Sequence, residues 1–337
     1  MKASQLRVLL QYAFKNNFPV LIKGQPGVGK SDVVEQATNA CIHSDGLPYD
    51  LLITHPVVQD PTEGSGIPWV VDGVVKKLPL ANLRRMIEAD RPLVVFLDDL
   101  GQASPAVQAA YMQLLLARQI DGVAISKYIR FVAATNRRED RASVSGILEP
   151  VKSRFNTIVQ LDVDANDWLT WARGKGMPKE LIFFIDWDKS KLNEFKPTKD
   201  IENSPCPRTV AKLGDMINAG IPDEIWFETV AGAVGQSFAS GFKFFMDCYL
   251  SLPTIGQIVS DPHGTPVPRE IQGRFAIASL IMERMDTTNI TPLIAYCERL
   301  EKELRIAVIK TATTHNPAIM MTRDFTTWIT RYQQDLM

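Results

Sequence analysis

Apolar residues along this chain follow two different spacings, and the change falls near residue 164. Before it, short unbroken apolar runs alternate with stretches in which apolar positions recur every three or four residues. Leu6, Leu9, Leu10 and Ala13 have that helical spacing over 4–15. Five runs read as strands: PVLIKG (19–24), YDLLITH (49–55), PLVVFL (92–97), YIRFVAATN (128–136) and TIVQLDV (157–163). Runs that are apolar throughout, not alternating, suit strands covered on both faces. Helical spacing returns between them, in SDVVEQATNACI (31–42) and SPAVQAAYMQLLLARQ (104–119). In the latter, Ser104 is placed to N-cap, Pro105 falls at the first helical position, and Val107, Ala110, Tyr111, Leu114 and Leu115 share a face. Strand alternating with helix predicts an α/β fold with a five-stranded parallel sheet.

A polar, glycine-rich insertion (about 56–80) interrupts this pattern, and within it WVV-DG-VVK predicts a hairpin closed by a type I′ turn. A second Asp-Gly, at 121–122, turns the chain toward the fourth strand. Beyond 164 the patterns are helical to the end, broken by SPCPR (204–208) and by LPTIGQIVSDPHGTPVP (252–268), whose prolines and glycines read as a linker. The expected organisation is an α/β core over 1–164, a helical region over 165–252 and a helical extension over 253–337.

The chain's 337 residues are enough for about two domains. Its 45% hydrophobic and 22% charged content are those of an ordinary globular protein. No apolar run is long enough to span a bilayer, and the N-terminal stretch lacks a continuous apolar core, so the expectation is a cytoplasmic protein with no membrane partner. Four cysteines (Cys41, Cys206, Cys248, Cys297) and four histidines (His43, His55, His263, His315) lie too far apart for a zinc site or disulfide framework. Net charge is −1 and the basic clusters are dipeptides, which argues against nucleic acid as a partner.

Chemistry enters with GQPGVGKS (24–31), which fits G-x-x-x-x-G-K-[ST] between a strand and a helix. Gly24, Gln25, Pro26, Gly27, Val28, Gly29, Lys30, Ser31 and Asp32 would form a phosphate-binding loop. Backbone N–H groups there face an anion at a helix N-terminus. Lys30 would reach the β- and γ-phosphates of ATP, and the Ser31 hydroxyl would hold Mg²⁺. The third strand runs straight into two carboxylates, LVVFLDDLGQ (93–102). Beside a P-loop, Asp98 suits the water shell of the magnesium, and Asp99 the orientation of an attacking water.

This motif order resembles the AAA+ ATPases: P-loop, LVVFLDD, FVAATNR (131–137), EPVKSRF (149–155) and SPCPRT (204–209). DPTEGSGIP, DDLGQASPAVQAAYMQLLLARQ, LDVDANDWLTWA and AGAVGQSFASGFKFF are similar to stretches of the MoxR-like, dynein-related branch. The resemblance implies an AAA+ core with a helix-2 insert, a helical lid and a ring homo-oligomer, expected to be a hexamer. It implies Asn136 as sensor 1, Arg154 as an arginine finger reaching the neighbouring subunit, and Arg208 as sensor 2. Arg137, Arg138 and Arg141 compete for the finger role. Its client would be a protein, in this family often one with a von Willebrand A-type domain, to be remodelled, chaperoned or activated. A nucleic-acid motor and a slow nucleotide-dependent switch are the alternatives. Two positions depart from the family: Asp99 replaces its usual glutamate, and Gly101 a polar residue. Asp99 is a methylene shorter, and misplacement of that size can cost on the order of 100-fold in rate.

Overall fold

The structure, a computed structural model, describes residues 1–140, 146–198, 200–250 and 252–332, with the backbone alone at 248–250. In chain order the first half holds α1 (Ala3–Asn16), β1 (Val20–Lys23), α2 (Lys30–Asn39), β2 (Asp50–Thr54), α3 (Pro61–Ser65), β3 (Ile67–Val71), β4 (Val74–Leu78) and α4 (Ala81–Glu88). It continues with β5 (Leu93–Leu97), α5 (Pro105–Ala117), β6 (Gln119–Ile120), β7 (Val123–Ala124), β8 (Ile129–Thr135), α6 (Glu149–Lys152) and β9 (Thr157–Gln160). All five expected core strands form one sheet, in the order β2-β5-β8-β1-β9, and every pairing in it is parallel.

Side-chain alternation explains why those strands are apolar throughout. Leu21, Val95, Leu97, Phe131 and Ala133 join one buried layer, with Leu83 and Met86 of α4 and Tyr111 and Leu114 of α5. Their neighbours Val20, Ile22, Val94, Phe96, Val132 and Ala134 join the opposite layer, with Leu6, Leu10 and Phe14 of α1 and Val33, Val34 and Ala37 of α2. The central strands β5, β8 and β1 therefore bury both faces, while the edge strands β2 and β9 leave Ile53 and Ile158 exposed. The Ser104 hydroxyl accepts a hydrogen bond from the Val107 N–H, and Pro105 opens α5, as the sequence predicts.

Strand order decides what can meet. Register aligns Lys23 with Thr135 and Leu97 with Ala133, so β1, β8 and β5 end along one edge, with β8 in the middle. The P-loop leaves β1 there, Asp98 and Asp99 leave β5, and Asn136 leaves β8. Ligand sites of open parallel sheets lie at such carboxyl ends.

Both Asp-Gly pairs have positive φ, 53° and 76° at Asp72 and Gly73, 48° and 81° at Asp121 and Gly122. These are the values that a two-residue I′ turn requires. The first closes β3 on β4 with Val71 opposite Val74, and the Lys77 N–H donates to Asp121 Oδ2 at 3.1 Å, tying the two turns together. Trp69 on this hairpin is 62% exposed.

The chain divides into two compact units. The first is Met1–Trp168 with Phe195–Ile201 and Cys206–Thr209. The second comprises the remaining residues of the helical half: α7 (Ala165–Lys175, from Leu169), α8 (Lys179–Trp187), α9 (Pro207–Ala219, from Val210), α10 (Trp226–Val234), α11 (Gln236–Leu250), α12 (Ile255–Ser260), α13 (Ile271–Arg284), α14 (Ile290–Cys297), α15 (Lys302–His315) and α16 (Arg323–Tyr332). Phe184 anchors an aromatic cluster there, with the rings of Phe238, Phe242 and Phe245 at 5.1, 5.2 and 5.5 Å. The expected linker at 252–268 contains a helix. Thr254 and Gln257 form a capping box at the start of α12, and Ile258 is buried with Ile277, Ile281 and Leu293. No helix among the described residues is long and apolar enough to cross a membrane.

Candidate functional site

Loop 24–31 bends through two glycines in the left-handed region, Gly27 at φ 76° and Gly29 at φ 95°, the latter capping α2. Both conformations suit glycine, and Gly27 is further constrained by space. A Cβ there would sit 2.5 Å from the thiol sulfur of Cys206. The Arg208 N–H donates to the Gly27 carbonyl at 3.0 Å, so Cys206 and Arg208 pack directly on the loop. Val28 anchors the loop in the core, Pro26 is half-buried, and Asp32 is exposed in the first turn of α2.

Lys30 is 6% exposed. Its ammonium donates to the carbonyls of Gly24 (3.0 Å) and Gln25 (3.1 Å) and to Asn136 Oδ1 (2.7 Å). Burial pushes its pKa down to about 8, Asp99 and Asp98 pull it up, and Arg208 adds to the lowering. The Ser31 hydroxyl donates to Asp98 Oδ2 at 2.8 Å. The Asp99 N–H donates to Asp98 Oδ1 at 3.1 Å. Asp99 is itself left-handed, with φ 57° and ψ 33°, and caps a 3-10 turn over Leu100–Gln102. Its Oδ1 accepts from Asn136 Nδ2 (3.2 Å) and Gln102 Nε2 (2.9 Å).

Residues from three separated stretches thus share one hydrogen-bonded cluster: Lys30 with Ser31, Asp98 with Asp99, and Asn136. The donor set fits a magnesium–nucleotide complex. A hydroxyl and a carboxylate 2.8 Å apart are the hard oxygen ligands that Mg²⁺ prefers. A buried ammonium among loop amides complements phosphate oxygens.

The candidate arginines scatter. Arg137 is bound by its Nε and Nη2 to the two carboxylate oxygens of buried Asp140, at 2.9 and 2.8 Å, which marks it as structural. Exposed Arg138 lies against Gly146, a Cβ on which would touch its guanidinium. Arg154 is half-buried, and its Nη1 donates to Ser153 Oγ at 3.4 Å, outside the cluster. Arg141 lies outside the described residues. Arg208 is exposed, close enough to Lys30 for its charge to be felt.

Two contributors escaped the sequence reading. Gln102 reaches back to Asp99 from the far end of the 3-10 turn, and its only signal was its position three residues on. Thr135 explains Gly101: a Cβ at 101 would lie 2.1 Å from Thr135 Oγ1, so the polar residue of the family has no room.

Residues 19–155 match the family described as AAA domain (dynein-related subfamily). A search among curated proteins returns no match. Among solved structures the chain is similar to the RuvB Holliday junction branch migration motor from Thermotoga maritima, at 15% identity over 74% of this chain and 74% of that one, TM-score 0.38. It is also similar to NtrX from Brucella abortus, at 14% identity over 91% of this chain and 67% of that one, TM-score 0.41. The same NtrX in complex with ADP matches at 15% identity over 93% and 64%, TM-score 0.40. Superpositions this loose add no weight. Motif order, the cluster at the strand ends and the family match agree without them: residues 19–155 are similar to an AAA domain of the dynein-related subfamily.

Proposed function

We propose that this protein binds ATP with Mg²⁺ and hydrolyses it, as a MoxR-like AAA+ ATPase that remodels, chaperones or activates a protein client in the cytoplasm. The observation that carries this reading is the hydrogen-bonded cluster of Lys30, Ser31, Asp98, Asp99 and Asn136, drawn from three sequence stretches to one sheet edge. In this reading the loop N–H groups and the start of α2 receive the β- and γ-phosphates, and Lys30 exchanges protein acceptors for phosphate oxygens. Ser31 and Asp98 hold the magnesium, which when bound neutralises phosphate charge. Asp99 orients the water and takes its proton through Oδ2, the oxygen without a protein hydrogen bond among the described residues. Asn136 aligns Asp99 and the γ-phosphate.

Sites of this kind complete themselves between subunits, so we place Arg154 at the nucleotide of a neighbouring protomer in a ring, taken to be a hexamer. Arg208 acts from the lid side. Residues 165–252 then serve as the lid and 253–337 as an extension, while the exposed hairpin of the helix-2 insert, with Trp69, faces the client. The client fits a partner with a von Willebrand A-type domain. The test is Asp99→Asn. It should bind a fluorescent ATP analogue as the native chain does and release no phosphate, because an amide cannot take the water's proton. Native-rate turnover by Asp99→Asn would overturn the assignment of the base.

A further inference from the structure

Asp99 is the short acid of the site, and the residue that aims it is not one of the family's motif residues. The Gln102 N–H donates to the Asp99 carbonyl at 3.0 Å, closing the 3-10 turn and carrying the Gln102 side chain back over the preceding acid. Its Nε2 then donates to Asp99 Oδ1 at 2.9 Å, the shorter of the two side-chain bonds that oxygen accepts. Gln102 Oε1 meanwhile is buried with no hydrogen-bond partner. An orphaned buried acceptor costs free energy, and an apolar side chain of the same length would avoid it. The amide cannot be reversed to relieve the orphan, because Oε1 would then face a carboxylate. The residue is thus spent on one bond, the one to Asp99.

We propose that Gln102 is a positioning residue for Asp99: by holding Oδ1 together with Asn136, it turns Oδ2 toward the attacking water and makes up for the missing methylene. The inference rests on the ATPase reading above. A chain that extends by one methylene would need no such strut. An aspartate on a left-handed residue does, since its carboxylate has a single side-chain torsion before the plane of its oxygens and little reach of its own.

The test uses the full chain and Gln102→Met, which keeps the length, removes the amide and abolishes the orphaned acceptor. It should fold at least as stably as the native protein, keep its KM for ATP and its affinity for a fluorescent ATP analogue, and lose about tenfold or more in kcat. In an Asp99→Glu background, Gln102→Met should cost much less, because the longer acid does not depend on the strut. The inference is overturned if Gln102→Met keeps native kcat, or if its loss is the same in both backgrounds. A native chain that hydrolyses no ATP overturns the ATPase reading instead. In that case urea midpoints of native, Gln102→Met, Asp99→Ala and the double variant still decide the contact: coupled midpoint shifts support it, and strictly additive ones refute it.

Discussion

Lys30 carries a charge that the folded protein tolerates badly. Its ammonium is 6% exposed, its three donors go to two carbonyls and one amide oxygen, and burial lowers its pKa from 10.5 to about 8. At about 1.4 kcal/mol per pH unit, that drop amounts to about 3 kcal/mol of destabilisation while the group is protonated in both states. The sign follows from the direction. Below pH 8 the folded and unfolded chains both hold the proton, and the penalty is complete. Between about 8 and 10.5 the folded chain releases it first, so stability recovers with rising pH, and above 10.5 the penalty is gone.

Lys30→Met removes the charge and keeps most of the volume. It leaves Gly24, Gln25 and Asn136 short of one donor each, at about 1 kcal/mol or more apiece, which offsets the gain. The expected net effect near neutral pH in the absence of nucleotide is within about 1 kcal/mol of zero, alongside collapse of ATP affinity. Urea titrations of both proteins supply the measurement, and the pH dependence supplies the rigour. The variant's stability relative to the native chain should fall by about 2 kcal/mol between about pH 7 and about pH 9.5, because only the native chain has this group to deprotonate. A stability difference independent of pH would refute a desolvated charge at Lys30. Undiminished ATP binding by the variant would refute the P-loop reading itself.

Arg154→Ala is expected to keep ATP binding and to lose roughly 10³-fold or more in hydrolysis. Mixing it with Asp99→Asn subunits should restore activity through interfaces that hold both groups, and native-rate hydrolysis by the single variant would pass the role to Arg138 or Arg141. Asp99→Glu should lower turnover, because the left-handed backbone at φ 57° already positions the shorter acid, and a longer one displaces Gln102; a faster enzyme would mean that the native carboxylate is under-reached. Gly101→Ala should destabilise by about 1–3 kcal/mol through collision with Thr135. Thr135→Ala, which removes the colliding oxygen, should recover most of that loss, and purely additive midpoints in thermal melts would exclude the collision.

The central strands were legible because burial on both faces makes them mostly apolar, as Val94, Val95 and Phe96 illustrate with neighbours packed into opposite layers; buried Arg130 in β8 is tolerated because its guanidinium donates to the Phe14, Lys127 and Ile129 carbonyls. The two Asp-Gly turns were legible because few residue pairs tolerate positive φ twice in a row. The P-loop was legible because its two positive-φ positions, Gly27 and Gly29, are both glycine. What stayed hidden depends on distance along the chain. The bond from Lys30 to Asn136 spans 106 residues, and no local pattern announces it. The thiol of Cys206 that fills the space over Gly27 comes from the helical half. The linker reading at 252–268 failed because prolines and glycines mark turns without saying what lies between them. Ile258, one apolar residue in a capped short helix, packs as core.

Asp98 and Asp99, two like charges at the end of a buried strand, become intelligible once their partners are separated. Asp98 points its Oδ2 at the Ser31 hydroxyl and its Oδ1 at the Asp99 N–H, so both of its oxygens are engaged. Asp99 turns away through a left-handed residue, a conformation that aspartate bears more easily than glutamate. Its Oδ1 goes to Asn136 and Gln102. Asn136 can serve both neighbours only as an amide, accepting from Lys30 with Oδ1 and donating to Asp99 with Nδ2. The cation of the P-loop and the second carboxylate are therefore linked through one side chain. In the proposed reading, a phosphate that draws Lys30 away also frees Asn136 Oδ1, while Asn136 Nδ2 still holds Asp99. In the proposed reading, a glutamate at 99 would have to meet the left-handed backbone at φ 57° and displace the Gln102 amide that holds Oδ1.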